Sequence, residues 1–181
     1  ALDCRMAFVS EDRRGVGLLL DERIDWNITF TAMQVQGRFL KGIPHLLQLR
    51  DDRAMTEEAE RFIQALDIKC TGPGQRAGEL SGGNQQKAVI AREVSGSPEL
   101  LVAVQPTRGL DVGAIEFVHK TLVRERDKGK AVLLISLELD EVMSVSDTID
   151  VIYGGKIVGS FEQGSVGEEE LGLLMAGGGS K

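Results

Sequence analysis

The sequence predicts an α/β fold in which helices cover a parallel β-sheet. Two apolar runs, Leu100–Val104 and Ala131–Ile135, have the length of buried strands, and each is followed by a segment with helical periodicity. Strands that alternate with helices in this way are typical of parallel sheets. The chain has 181 residues, 42% of them hydrophobic, which is enough to form a core around such a sheet.

The first half of the chain is predicted to begin with the strand Met6–Val9, followed by a charged, glycine-containing loop over residues 10–17. Residues 21–49 have a mixed pattern, from which we predict helix broken near residues 42–44. A clearer helix is predicted to start at Thr56, whose hydroxyl can cap it, and to end before a Gly-Pro-Gly turn.

The second half alternates helices and strands more regularly and is predicted to contain a hairpin. Gly154-Gly155 between two apolar runs is typical of a tight turn joining antiparallel strands. Residues 176–181 are rich in Gly and Ser and are predicted to be disordered. In chain order, the predicted elements are a helix over 84–95, a strand over 100–104, a turn at 106–109, a helix over 113–127, a strand over 131–135, a helix over 138–145 and strands over 148–153 and 156–160.

Composition and charge argue against several classes of function. Lys and Arg number 21 against 28 Asp and Glu, and the net charge of −7 speaks against binding of nucleic acid or acidic lipid. No apolar stretch reaches the ~20 residues that span a membrane. Cys4 and Cys70 form no Cys-x-x-Cys motif, and His45 and His119 lack the spacing of metal ligands, so neither a disulfide framework nor a metal site is predicted.

Residues 80–87, with the sequence LSGGNQQK, contain the strongest functional signal. Gly82 and Gly83 at the start of a helix leave backbone N–H groups uncovered, and the helix dipole adds partial positive charge there. Ser81 adds a hydroxyl and Lys87 a nearby cation, so the helix start is predicted to bind an anion such as phosphate. The alternative for Ser-Gly-Gly alone is a serine-capped helix after a flexible turn.

The complete LSGGNQQK string resembles the signature motif of ATP-binding cassette (ABC) ATPases, in the variant of the second cassette of sugar and nucleoside importers. Residues 10–18 resemble the loop that replaces the usual Q-loop in such cassettes, and residues 131–137 resemble the strand that enters the switch loop. Residues 100–107 resemble the Walker B region. The corresponding D-loop is Arg108, Gly109, Leu110 and Asp111, and the corresponding signature positions are Leu80, Ser81, Gly82, Gly83, Asn84 and Gln85.

This resemblance implies a partial P-loop NTPase fold of the ABC cassette type, with a parallel sheet core, a helical signature subdomain and a C-terminal β-hairpin. In this family two cassettes meet head to tail and enclose ATP. Ser81, Gly82 and Gly83 would therefore hold the γ-phosphate of ATP that is bound mainly to a partner cassette. ATP and Mg²⁺ are the implied cofactors of the intact transporter, and none is expected in this chain alone.

A phosphate-binding loop is missing from the sequence. Such a loop requires Gly-x-x-x-x-Gly-Lys followed by Ser or Thr, so that backbone amides and the Lys surround the phosphates. Gly129-Lys130 and Gly155-Lys156 both fail this pattern. Because the family carries the loop N-terminal to the segment that this chain resembles, we expect the chain to be truncated before it.

Four further positions depart from the family pattern. Val104 replaces the Asp that binds Mg²⁺ and offers no oxygen ligand, and Gln105 replaces the Glu that polarises water and cannot act as a base. Leu137 replaces the switch-loop His, and Glu11 replaces the Q-loop Gln. We expect the full-length protein to be an ATPase whose second site is degenerate, and this chain alone to be inactive.

The resemblance also predicts a domain organisation and a set of partners. The implied partners are a cassette in the N-terminal half of the same protein, membrane permease subunits and, indirectly, a periplasmic or lipoprotein solute-binding protein, with no nucleic acid. The implied location is the cytoplasmic face of the membrane, as a peripheral subunit. The predicted segments are residues 1–20 (core strand and Q-loop-like segment), 21–95 (helical subdomain with the signature), 96–165 (core α/β subdomain) and 166–181 (C-terminal tail, partly disordered).

Two alternative functions stay open at this point. The first is a structural or regulatory cassette that binds nucleotide without hydrolysis, which the residues at 104, 105 and 137 favour for this half of the transporter. The second is a soluble ABC ATPase that acts on DNA or ribosomes. Such proteins carry coiled-coil insertions or basic arms, and this acidic sequence has neither.

Overall fold

Three apolar strands form the central sheet. The computed structural model describes residues 5–43 and 47–178, so Cys4 and His45 lie outside the described residues. In the sheet, the strands follow the order β1 (Met6–Val9), β4 (Leu100–Val104) and β5 (Ala131–Ile135). β1 and β4 run parallel, which confirms the parallel sheet predicted from the sequence. All three strands have the bounds that their apolar runs predict.

The side chains of β1 alternate between a buried and an exposed face of the sheet. Ala7 and Val9 are buried, and the helix α3 (Gly82–Ser95) packs against this strand. The backbone N–H of Phe8 donates a hydrogen bond of 3.0 Å to the carboxylate of Glu93 near the end of α3. The strand and the helix are therefore held together by apolar packing and by a polar contact.

A layer of three helices contains much of the apolar core of this part of the chain. α1 (Ile24–Gln36) packs against both α3 and α2 (Asp52–Ala65). Ile24 and Ile28 of α1 and Ile90 of α3 are fully buried. Burial of branched apolar side chains between the helices is the main source of stability here.

The helix predicted across residues 21–49 is wrong beyond Gln36. Gly37 follows α1 with φ at 66°, in the left-handed region that ends helices, and its N–H bonds back to carbonyl oxygens of the last turns. The chain then forms an antiparallel pair, β2 (Leu40–Ile43) and β3 (Leu47–Arg50). The sequence pattern missed this pair because both strands are short and interrupted by polar residues.

The predicted start of α2 at Thr56 is also wrong. Asp51 caps the helix instead, and its carboxylate accepts a hydrogen bond of 3.2 Å from the N–H of Ala54. Hydrogen bonds from Lys41 and from that N–H hold the pKa of the Asp51 carboxyl below its ordinary value. Thr56 lies one turn into the helix, where its hydroxyl donates to Asp25 at 3.2 Å. Both residue types can cap helices, and tertiary contacts decide between them.

α4 (Val112–Asp127) connects the strands β4 and β5. The structure confirms the predicted helix and extends it by one residue at its start. Asp111 caps it, with its Oδ1 accepting a hydrogen bond of 2.9 Å from the N–H of Ala114. Gly129 follows the helix with φ at 83°, a conformation that glycine adopts without strain. This conformation agrees with its predicted role in ending the helix.

The described residues from Leu134 onward form a second compact unit. Its hairpin has a turn at Gly154 and Gly155, both with positive φ, and a register shift after Val151, which confirms the predicted hairpin. Its described helices and strands are α5 (Leu139–Val145), β6 (Thr148–Tyr153), β7 (Lys156–Glu162) and α6 (Glu168–Met175).

The segment that we predicted as a C-terminal tail contains a helix. α6 begins with three consecutive glutamates, whose charges favour a helix N-terminus. Leu171 of this helix is buried with Val166, Ile149 and Val151, so the segment packs on the hairpin. The division into residues 1–20, 21–95, 96–165 and 166–181 stays a prediction. Within the described residues, no helix is long and apolar enough to cross a membrane.

Candidate functional site

The start of α3 carries the LSGG sequence at the surface. Ser81 caps the helix, and its Oγ accepts hydrogen bonds from the backbone N–H of Asn84 at 3.5 Å and from Asn84 Nδ2 at 2.9 Å. The Oδ1 of Asn84 accepts a hydrogen bond of 2.8 Å from the N–H of Lys69, which fixes the orientation of its amide. Ser81 itself is exposed. The serine therefore caps the helix and remains accessible to an anion.

Gly82 and Gly83 have different surroundings. A Cβ atom on Gly82 would have no heavy atom of the described residues within 4 Å, so the helix start is open beside it. A Cβ on Gly83 would lie 3.1 Å from the Cβ of Ala114 and 3.6 Å from Asp111 Oδ2. Gly83 thus allows the start of α3 to lie against the start of α4. The first N–H groups of a helix lack intrahelical partners, so the open side at Gly82 suits an anion.

Two of the predicted signature residues do not face the open side. Leu80 is buried, and Gln85 is only 1% exposed, with its Nε2 donating to the carbonyl oxygen of Ala77 at 3.3 Å. The side chains of Leu80 and Gln85 therefore anchor the segment, and the predicted contact of these two side chains with a phosphate does not fit their burial. Residues 82–84 in the first turn of α3 are half-buried, whereas Gln85 and Gln86 lie on the face of the helix that is turned to the core.

Lys87, which we predicted as a cation beside the anion site, contacts Asp67 and Phe117 instead. Its Nζ donates a hydrogen bond of 2.8 Å to the carbonyl oxygen of Asp67 and lies 4.7 Å from the ring centroid of Phe117. The partial positive charge at the helix start therefore comes from the helix dipole and its N–H groups, and this lysine makes no direct contact there.

The residues that resemble a D-loop form a tight turn after β4. Gln105 has φ at 47° and Gly109 has φ at 68°, so both lie in the left-handed region. The N–H of Arg108 donates to the carbonyl oxygen of Gln105 at 3.2 Å, and the N–H of Leu110 donates to that of Thr107 at 3.1 Å. The turn leads directly into Asp111, the cap of α4, and so places the D-loop-like residues beside Gly83.

The residues at the end of β4 do not fit a magnesium ion. Val104 is the last residue of the strand and has no oxygen donor in its side chain, and Gln105 is a neutral amide. Mg²⁺ requires oxygen ligands, usually carboxylates, and a water-activating base requires a group that accepts a proton. The donor set at this position therefore supplies neither metal binding nor general-base chemistry.

The remaining departures from the family pattern lie in two different places. Glu11 lies in the loop after β1, where its Oε2 accepts a hydrogen bond of 3.1 Å from Arg108 Nη1. The structure thus brings the Q-loop-like and D-loop-like segments together. Leu137 belongs to the second compact unit, and its side chain is 73% exposed. An apolar side chain at this position offers no hydrogen bond to a phosphate.

Import ATP-binding proteins are similar in sequence to almost the whole chain. The chain is 47% identical over 169 residues to the guanosine import ATP-binding protein NupO of Bacillus subtilis, covering 93% of the chain. It is 45% identical over 170 residues to the nucleoside import ATP-binding protein NupA of Lactococcus lactis, covering 94% of the chain. It is 35% identical over 178 residues to a ribose import ATP-binding protein, RbsA of Caldanaerobacter subterraneus, covering 98% of the chain.

Solved structures of ATP-binding cassettes have the same fold. The cassette MJ0796, solved as a dimer bound to ADP and Pi, matches with a TM-score of 0.69 and 18% identity over 87% of this chain and 62% of that chain. The cassette MJ1267 matches with a TM-score of 0.65 and 21% identity over 94% of this chain and 64% of that chain.

The chain therefore has the fold of ATP-binding cassettes and is similar in sequence to import ATP-binding proteins. No family model matches it. The chain spans about a third of the length of the importer proteins compared above, between 32% and 34%.

Two features of this cassette were not predicted from the sequence. Gln86 is buried, and within residues 5–43 and 47–178 no hydrogen-bond partner reaches its Oε1 or Nε2. Glu11 and Arg108 form their ion pair across 97 positions of sequence, so no local pattern signals it. Both features depend on tertiary packing, which periodicity and motif spacing do not describe.

Proposed function

We propose that this cassette supplies its signature residues 81–83 to ATP held mainly by a partner cassette. The observation that carries the proposal is the start of α3, where Ser81 is exposed and the space beside Gly82 is open. A helix N-terminus with exposed N–H groups and a hydroxyl donor stabilises a phosphate through the dipole and through hydrogen bonds. Because the site is open, the nucleotide can be presented by another molecule or domain.

The corresponding whole protein is proposed to be the ATP-binding subunit of an importer for simple sugars or nucleosides. Relatives with guanosine, nucleoside and ribose import in their names support this substrate class. The LSGGNQQK variant supports placement as a second cassette, with the partner cassette in the N-terminal half of the same protein. The other proposed partners are permease subunits and, indirectly, a solute-binding protein, with the subunit at the cytoplasmic face of the membrane.

The cassette's own nucleotide site is proposed to hydrolyse ATP poorly. When bound, ATP and Mg²⁺ supply the phosphoryl group and the charge neutralisation for hydrolysis. Val104 and Gln105 supply neither a metal ligand nor a base, so this half contributes binding and orientation through its signature. The same two residues favour a second candidate function, in which this half is a regulatory cassette without turnover.

Substitutions at the start of α3 and just after β4 test this assignment in the full-length protein. Ser81→Arg is expected to lower ATP hydrolysis about 100-fold, because the hydroxyl is lost and a bulky side chain occupies the open helix start. Gln105→Ala is expected to keep hydrolysis within about twofold, because Gln105 has no basic group to lose. Steady-state phosphate release measures both. Wild-type hydrolysis by Ser81→Arg, or an equal loss in Gln105→Ala, would contradict the proposal.

A nucleotide titration tests the cassette in isolation. Isothermal titration of the 181-residue chain with Mg-ATP is expected to give no binding in the micromolar range. The physical reason is that the sequence has no phosphate loop to surround the nucleotide and the end of β4 has no ligand for the metal. The same titration with ADP is the control for contacts to the base and ribose. Micromolar affinity for Mg-ATP would show that the chain holds nucleotide by another route.

A further inference from the structure

An ion pair joins the two loops that follow the parallel strands β1 and β4. Glu11 follows β1 and Arg108 follows β4, and their carboxylate and guanidinium lie 3.1 Å apart. Arg13 lies on the same side of the turn, since a Cβ on Gly109 would be 3.7 Å from its Nη2. The ion pair therefore connects the loop after β1 with the D-loop-like turn, and Arg13 lies close to the same turn.

The loop after β1 is itself fixed to the signature helix. Asp12 closes the π-helical turn Arg13–Gly17, and its Oδ1 accepts hydrogen bonds from the N–H groups of Arg14 at 3.1 Å and Gly15 at 2.8 Å. A Cβ on Gly17 would lie 3.2 Å from the side chain of Val89 in α3. π-helical turns are rare and are often found at functional sites. The loop thus lies between α3 and the turn after β4 and is held in shape by the Asp12 hydrogen bonds.

The turn after β4 needs support from such a loop. Gln105 holds a left-handed conformation that is unfavourable for a residue with a side chain, and such residues persist where surrounding contacts fix them. The same turn places Asp111 at the start of α4, close to Gly83. A shift of the turn would therefore displace the group that lies against the signature.

We infer that Glu11 and Arg108 are positioning residues for the signature. Their ion pair holds the D-loop-like turn against the loop formed by residues 12–17, and the turn sets Asp111 against Gly83. This inference rests on the proposed function, in which the signature acts on ATP held by a partner cassette. The pair does not contact the nucleotide in this scheme, so it acts on the rate of hydrolysis and leaves the affinity for ATP unchanged.

Charge reversal in the full-length protein tests the inference. Glu11→Arg and Arg108→Glu are each expected to lower kcat for ATP hydrolysis about fivefold, the upper range for an exposed ion pair, with KM for ATP unchanged. The double variant, in which the charges are exchanged, is expected to recover kcat to within about twofold of wild type. Thermal unfolding of each variant normalises the rates to folded protein.

A matched control exists at the opposite ends of the same strands. Arg5 and Glu99 form an exposed ion pair at 3.1 Å, and reversing either charge is expected to leave kcat unchanged. Wild-type kcat in both Glu11 and Arg108 variants would overturn the inference. A double variant as slow as the single variants, or an equal loss in the control pair, would also overturn it.

The signature variant Gly82→Asp, measured in the same assay, separates the two proposals. If Gly82→Asp is inactive while the charge reversals have no effect, the proposed function stands and the positioning role fails. If Gly82→Asp hydrolyses ATP at the wild-type rate, the proposed function itself fails.

Discussion

Gly82→Asp in the full-length protein is expected to reduce ATP hydrolysis by a factor of about 100 or more. The substitution places a carboxylate at the open start of α3, where the proposed function places the γ-phosphate. Repulsion between the two anions removes the benefit of the helix N-terminus, and loss of one such stabilising contact typically costs 100-fold or more in rate. Steady-state phosphate release, with ATP varied to separate kcat from KM, measures the effect.

Gly82→Asn is the matched control, because it has nearly the same shape and no charge. The side chain of either variant enters space with no described heavy atom within 4 Å of the Cβ, so both are expected to fold like the wild type. We expect Gly82→Asn to retain clearly more activity than Gly82→Asp. Equal losses in both variants would indicate a steric effect, and wild-type activity in Gly82→Asp would contradict the proposed role of the signature.

The double substitution of Lys128→Met and Lys130→Met is expected to lower the free energy of unfolding of the chain by about 3–5 kcal/mol. Glu125 near the end of α4 is only 3% exposed, and its carboxylate is paired with Lys128 at 2.6 Å and with Lys130. Removing both cations leaves a buried charge without compensation. Urea unfolding followed by circular dichroism measures the change.

The pH dependence of stability gives a second, independent test of the ion pairs of Glu125. Burial raises the pKa of the Glu125 carboxyl, but the hydrogen bonds from Lys128 and Lys130 outweigh it and hold the pKa below its ordinary value. In the wild type, Glu125 therefore stabilises the fold above the unfolded pKa of about 4.3, and this contribution is lost as the pH falls through the lower folded pKa.

In the double lysine variant the sign is expected to reverse. Burial alone then raises the folded pKa of Glu125 above the unfolded value, so acidification neutralises the buried charge and regains stability. Adding Glu125→Gln to the double variant is the control, because it removes the charge and is expected to restore part of the lost stability. A double variant with the same pH slope as the wild type would show that Glu125 is not sensitive to its lysine partners.

The sequence predicted the sheet well because its strands are unbroken apolar runs. Residues 100–104 and 131–135 have no competing pattern, and the structure gives them the predicted bounds. Prediction failed where two nearby residues could each cap the same helix. Asp51 and Thr56 are both good helix caps, and the hydrogen bond from Thr56 to Asp25, a contact distant in sequence, helps to select Asp51.

The candidate site was only partly predictable for a related reason. The motif placed residues 81–84 at a helix start, and local geometry was sufficient for that. It did not reveal that Gln85 faces the core or that Lys87 is bound to Asp67, because both depend on which side of α3 packs inward. The ion pair of Glu11 with Arg108 likewise requires the parallel pairing of β1 with β4.

The two adjacent glycines of the signature are expected to tolerate substitution to different degrees. Gly83 lies against Ala114, so a side chain there would crowd the Ala114 Cβ at 3.1 Å, and we expect selection for folding to disfavour substitution. Gly82 has open space beside it, so selection for folding alone leaves it free to vary. Under the proposed function, only selection for growth on the transported solute constrains both positions.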